Sequence, residues 1–147
     1  MDDLLRHLRL AREALVRKPD GLSEHDVRRP LVPTASNLLG LVEHAAGVES
    51  GYLGSVFGRP STERLAWMDQ DAPPNADMRA TEEESRADIV ARSERVAAHA
   101  EATLRALPLD TAGTVPRWPG GAGDVTLRAP SGSRARRRGC RRSTDRR

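Results

Sequence analysis

Leu4, Leu8, Ala11 and Leu15 recur at spacings of four, three and four residues, which places them on one helical face and predicts a first amphipathic helix to about Lys18. Pro19-Asp20-Gly21 ends it. The segment "GLSEHDVRRPLVP", Gly21 to Pro33, has two prolines and no sustained period, so it is expected to be a connector with a short turn of helix at Ser23 to Val27. Thr34 or Ser36 can cap the next helix by accepting a hydrogen bond from an unpaired backbone amide. That second helix is expected from about Asn37 to Val56, stopped by Gly58-Arg59-Pro60. Leu41, His44 and Val48 share one of its faces, and the face is expected inward.

A long connection runs from Arg59 to Ala80, with Trp67 as its single large anchor. Connections of this length in compact domains are often functional or else mobile. Thr81-Glu82-Glu83-Glu84 matches a capping box and is expected to start a third helix, with an apolar stripe of Ile89, Val96, Ala100, Leu104 and Leu107 that ends before Pro108. "LDTAGTVPRWPGGAGD", Leu109 to Asp124, is rich in glycine and proline and is expected to be loop. Asp124-Val125-Thr126-Leu127 then has the pattern of a capped fourth helix just beginning. The last twenty residues, "RAPSGSRARRRGCRRSTDRR", have no large aliphatic or aromatic side chain to offset the entropy of ordering, so residues 128–147 are expected to be a disordered arginine-rich tail.

Composition narrows this picture. The 147 residues suit one domain, taken as residues 1–127, and the 3% aromatic content leaves its core to Leu, Val and Ala, which favours helices. No run approaches the roughly 18 apolar residues of a membrane helix, and Met1-Asp2-Asp3 lacks the basic start of a secretory signal, so no membrane partner and a cytoplasmic location are expected. Cys140 is the only cysteine and forms no disulfide within the chain. The net charge of +3 conceals a split: residues 128–147 hold nine arginines and one aspartate, a net +8, which leaves residues 1–127 at −5. Nucleic-acid binding is therefore not expected of the bundle, and the tail could bind phosphates only without specificity, lacking aromatics to stack on bases.

"REALVRKPDGLSEHDVRRPLVPTASNLLGLVEHAAGVESGYLGSVFGRP", together with "ERVAAHAEATLRALPLDTAGTVPRWP", resembles the mini-circle-protein-like branch of the DinB superfamily. The same superfamily contains the mycothiol-dependent maleylpyruvate isomerases and related thiol transferases. The resemblance covers Met1 to about Leu127, and "NLLGLVEHxxGVExxYLG" is its most specific part. It implies an all-α, up-down four-helix bundle in which three histidines, one on the second helix and two on the fourth, hold a divalent metal such as Zn or Ni. His44 falls on the first of those ligand positions. The implied cofactors are that metal and a low-molecular-weight thiol, which the metal converts to a thiolate that attacks an electrophilic small molecule.

The sequence departs from the pattern at the fourth helix, since no histidine occurs beyond His99. In the related proteins that helix contains something like Glu-Thr-Ala-Arg-His, and GC-rich codons for its first four residues, read one base late, give Arg-Arg-Arg-Gly. Arg136-Arg137-Arg138-Gly139 sits about where that segment belongs, so a shifted reading frame is expected from around Leu127 onward. The expected protein is a DinB-like bundle with its fourth helix missing or degenerate, an incomplete metal site and impaired or absent activity. The alternative is a non-enzymatic binding protein whose basic tail contacts nucleic acid or an acidic partner, and a homo-oligomer is open in either case.

Apart from the resemblance, His44 is either a core histidine satisfied by a neighbour or a metal ligand. His99, three residues after Val96, could face the same interior. Glu49 is a polar group at the bundle edge or a neighbour of the site, and Tyr52 is expected to pack. His7, His25, Asp69, Asp71 and Asp77 show no ligand spacing and are assigned no chemistry. The tail reading has a direct test: deleting residues 128–147 should leave helicity and melting temperature almost unchanged while the pI moves from basic to acidic and any retention on DNA disappears. Unfolding on deletion, monitored by circular dichroism, would show that the tail packs.

Overall fold

Ser23 and Ser85 each stand three residues before an aspartate, and at both places the serine hydroxyl accepts a hydrogen bond from that aspartate's backbone amide at 3.1 Å, fixing a helix start. In the computed structural model, which describes residues 2–118 and 121–127, these caps open α2, Glu24–Arg28, and α4, Arg86–Ala106. Helix α1 spans Asp2–Val16 and α3 spans Leu38–Tyr52. Short 3-10 turns at Ser55–Phe57, Ala66–Met68 and Ala76–Met78 punctuate the way to α4. The fold is that of an all-α, DinB-like bundle, ending in a small antiparallel hairpin of β1, Ala112–Trp118, and β2, Gly121–Thr126.

The hairpin corrects two expectations, the loop over Leu109–Asp124 and the fourth helix beginning at Asp124. Thr114 and Val115 on one strand and Val125 and Thr126 on the other are β-branched, and the glycines and prolines punctuate the strands rather than abolish them. Pairing runs from Ala112 opposite Thr126 to Trp118 opposite Gly121, with an irregularity between Val115 and Trp118 that contains Pro116, a residue with no amide to donate. Val115 and Val125 are buried, and the strand lies so close to the 55–57 turn that a Cβ on Gly113 would stand 2.7 Å from the Val56 carbonyl oxygen. The expected disordered tail, Cys140 and Arg136–Gly139 lie outside the described residues.

Two groups of buried side chains stand out in the core. Val27, Leu39, Val42, Ala80 and Ile89 pack together with Leu15 and Val16 against them, and Ala46, Leu65 and Val96 pack with Trp67. The stripe expected to bury α1 is turned aside: Leu4 and Ala11 are exposed, Leu8 and Leu15 only partly covered, and Leu5 is the residue buried. Arg12 explains the rotation. Its side chain, 15% exposed, reaches Glu49 on α3 at 2.7 Å and Glu101 on α4 at 2.8 Å, while Arg9 pairs with both oxygens of Glu101. Arg9 and Arg12 lie on the same face as Leu5 and Val16, so the ion pairs bring that face inward. Glu49, which the sequence places at the bundle edge or near a site, is thus an interhelical partner.

The start of α3 also differs from expectation, because the capping residue is Asn37 itself and neither Thr34 nor Ser36. Its side-chain oxygen accepts from the amides of Gly40 at 2.8 Å and Ala80 at 3.3 Å, and its amide nitrogen donates to the carbonyls of Arg28 and Ala80 at 3.2 and 3.0 Å. Its backbone amide donates to Met78 O. Glu84 cannot serve the box expected at Thr81, since it is turned toward Arg92, and α4 begins one turn later with Ser85 as its cap. Asn37 is 1% exposed, so water cannot replace what it loses. Asn37→Ala should destabilise the chain by roughly 2–4 kcal/mol in urea unfolding, well above the loss of an exposed cap; a loss below about 1 kcal/mol would show that the contacts are individually dispensable.

Candidate functional site

His44 and Glu43 are consecutive on α3 and therefore project about 100° apart. Glu43 points into the molecule, 4% exposed, whereas the His44 side chain is 47% exposed. This overturns the expectation that Leu41, His44 and Val48 form the inward face: Leu41 is half-buried, Val48 and Tyr52 are exposed, and the buried face is Leu39, Val42, Glu43, Ala46 and Ser50. Tyr52 accordingly does not pack. Helix α3 is apolar on both sides, so periodicity alone could not choose which of them faces the core.

The His44 ring is nevertheless held. Its Nδ1 lies 2.5 Å from Oδ2 of Asp77, in the 76–78 turn, and Nε2 has no hydrogen-bond partner among the described residues. The sequence gives Asp77 no chemistry because it is 33 residues away and belongs to no ligand motif; only the folded path of the connection brings it there. That path is fixed by Asn37, and by Gly40, where a Cβ would stand 2.2 Å from the backbone of Met78. A carboxylate on one ring nitrogen is the arrangement that fixes a histidine's tautomer and leaves the other nitrogen for a ligand.

The other candidate ligands lie elsewhere. His99 Nε2 is 2.8 Å from the Arg59 carbonyl oxygen, His7 Nδ1 is 2.6 Å from the Asp3 carbonyl oxygen, and His25 is exposed beside Asp26. Asp69 pairs with Arg64. Among the described residues, no group of three or more His, Cys, Asp or Glu side chains is placed to hold a metal ion. The described residues fit one ligand position with its supporting carboxylate, and they do not fit a three-histidine centre.

On the Glu43 side there is a cavity of about 700 Å³ between α3, the connection and the start of α4. Glu43 and Glu84 stand carboxyl to carboxyl in it, and Arg92 from α4 pairs closely with Glu84 while staying 3.8 Å from Glu43. Arg92 also covers one face of Trp67, its guanidinium carbon 5.3 Å from the ring centroid. The indole nitrogen is buried without a hydrogen-bond partner among the described residues, above Gly47, where a Cβ would approach it to 3.0 Å. Arg92 holds Glu84 below the usual carboxylate range, whereas burial, reinforced by the neighbouring Glu84, pushes Glu43 up to about 8. Sequence reasoning missed this pair, because Glu43 looks like any polar position in an apolar helix and Glu84 like one of a run.

A family model for mycothiol-S-transferases matches residues 3–130. No curated protein and no solved structure matches the chain significantly. Among the described residues no helix is long and apolar enough to cross a membrane.

Glu43 couples stability to pH. The folded chain keeps its proton up to about pH 8, whereas an exposed glutamate loses it near 4.5, so the folded state binds more protons across that window and stability falls as pH rises through it. Glu43→Gln should remove this decline, with wild type and variant diverging by about 1 kcal/mol or more between the acidic and alkaline ends in urea titrations. Parallel curves would place the carboxyl in water.

Proposed function

The chain belongs to the mycothiol-S-transferase family of DinB-like proteins, and from this membership we propose that it carries a transferase scaffold with one surviving ligand position, His44, and without the complete metal site of its intact relatives. The observation that carries this reading is the Asp77 carboxylate on Nδ1 of His44, which leaves Nε2 for a ligand. In the intact relatives the metal lowers the pKa of a low-molecular-weight thiol. Here one imidazole supported by one carboxylate is too few donors for a catalytic centre, which needs three protein ligands and an open position. No catalytic step is therefore assigned to the metal in this chain, and thiol transfer is impaired or absent. The finer assignments, a divalent metal, a thiol cosubstrate and a cytoplasmic location, rest on the family.

Elemental analysis tests this proposal. The purified chain should hold well under one equivalent of Zn or Ni, and His44→Ala should change that content little. A version with the codons after Leu127 returned to the other frame should gain the metal and lose it again with His44→Ala. Near-stoichiometric, His44-dependent metal in the unaltered chain would overturn the incomplete site, and a repaired chain without metal would overturn the role of His44. The binding-protein alternative requires salt-sensitive DNA retention with no metal in either chain.

A further inference from the structure

Helices α1 and α3 each carry an apolar stripe spaced by four, three and four residues: Leu4, Leu8, Ala11 and Leu15 on the first, Leu41, Ala45, Val48 and Tyr52 on the second. Such a stripe suits burial against another helix, yet Leu4, Ala11, Val48 and Tyr52 are exposed and the other four only partly covered. The two stripes border one groove. Arg12 reaches both Glu49 on α3 and Glu101 on α4, whereas Arg9, about 60° round α1, pairs with Glu101, so α3 lies on the Arg12 side of the inward face. The stripe of α1 continues round the helix beyond Arg12 and therefore runs along that side. On α3, Glu49 marks the side next to α1, and the stripe begins at Ala45, just beyond Glu49 and away from the buried Leu39, Val42 and Ala46. Both stripes thus flank the α1–α3 groove on the side facing away from α4. Residues 128–147 have no large aliphatic or aromatic side chain with which to fill it.

We propose that this groove is a dimer interface, covered by the same face of a second copy of the chain, with the two α1 helices antiparallel about a twofold axis. Charge selects that arrangement. Helix α1 opens with Asp2 and Asp3 and is followed by Arg17 and Lys18, and all four are exposed. Asp3 stands 3.8 Å from Arg6, and Arg17 and Lys18 make no ion pair among the described residues. A twofold axis near Leu10 sets Asp2 and Asp3 of each copy beside the partner's Arg17 and Lys18, and the stripe from Leu4 to Leu15 is centred at the same place. One axis therefore satisfies both the apolar and the charged positions, whereas parallel helices would bring like charges together at both ends. The complementarity is of the face with itself, which selects a second copy over an unrelated protein. Because Arg12 meets Glu49 while Leu15 and Val16 pack with Leu39 and Val42, α1 and α3 run antiparallel. Leu10 is then about level with Gly51, which brings Tyr52 of the two copies near the axis.

Sedimentation equilibrium tests the proposal. The full chain should have twice the mass of one copy, and the dimer should persist when residues 128–147 are deleted. Ala11→Glu and Val48→Glu, both at positions exposed in the single chain, should each raise the dissociation constant about tenfold or more while circular dichroism shows the helices retained. Leu10→Glu, exposed and turned away from the stripe, should leave the dimer unchanged. The helix ends test the geometry: Asp2→Lys with Asp3→Lys should weaken the dimer, and adding Arg17→Glu with Lys18→Glu should restore it, which an effect on the stability of α1 alone would not do. A monomer at every concentration, a dimer indifferent to Ala11→Glu and Val48→Glu, a dimer lost with residues 128–147, or charge reversal without rescue would each overturn the proposal.

Discussion

One buried carboxamide, that of Asn37, fixes where the end of the long connection meets the first turn of α3. Asn37 links the end of α2, the first turn of α3 and the 78–80 segment through four side-chain hydrogen bonds, three of them buried and the one to Arg28 partly so. Each donor or acceptor of a buried amide that loses its partner adds its own desolvation cost, so docking of the three segments is favoured as a unit. Gly40 enforces the same docking sterically, since any side chain there would overlap the backbone at Met78. Asp77 and Ala80 flank that contact point. The carboxylate on His44 and the closure of the core around Ala80 are therefore consequences of one capping residue.

From that anchor the long connection becomes the working element. Running on to Ser85 in the structure, it carries Trp67, Asp77 and Glu84, and each meets α3 or α4 at a different place: the indole over Gly47, the aspartate at His44, the glutamate at Glu43 and Arg92. Helices supply the fixed partners, and the connection brings the groups that complete them. This is the division of labour expected where a rigid scaffold positions an irregular segment.

Legibility in the sequence depends on range. The helices are readable because their signals are local: period, capping serines and stop residues lie within a few positions of what they specify. The short helix at Ser23 to Val27 and the stop before Pro108 are found where the pattern puts them. Where two local signals compete, sequence cannot arbitrate. Thr81 and Ser85 are both acceptable capping residues, and the helix starts at Ser85, whose hydroxyl takes the Asp88 amide, while Glu84 is taken by Arg92. Leu4-Leu8-Ala11 and Leu5-Arg9-Arg12 are neighbouring faces of α1, and two carboxylates on other helices decide between them. The hairpin is hidden by its glycines and prolines, which mask four β-branched residues. Asp77 beside His44 and Glu84 beside Glu43 lie 33 and 41 residues from their partners, beyond any spacing rule.

The two sites also differ in what they require of the chain beyond the hairpin. A metal centre at His44 needs further nitrogen donors, and the sequence after His99 has no histidine to provide them. The outward apolar positions of α3, Val48 and Tyr52, are uncovered on the same side of the helix. At about 25 cal/mol per Å², a few hundred Å² left in water forfeits several kcal/mol, a large share of a domain's net stability. The carboxyl pair is in the opposite position. Glu43, Glu84, Arg92 and Trp67 all lie between residues 43 and 92, on α3, the connection and α4, and among the described residues the ion pairs and ring contact that join them stay within that stretch. The donors that a metal centre at His44 would need are spread over the chain, whereas the carboxyl pair and the groups around it all come from the stretch between residues 43 and 92.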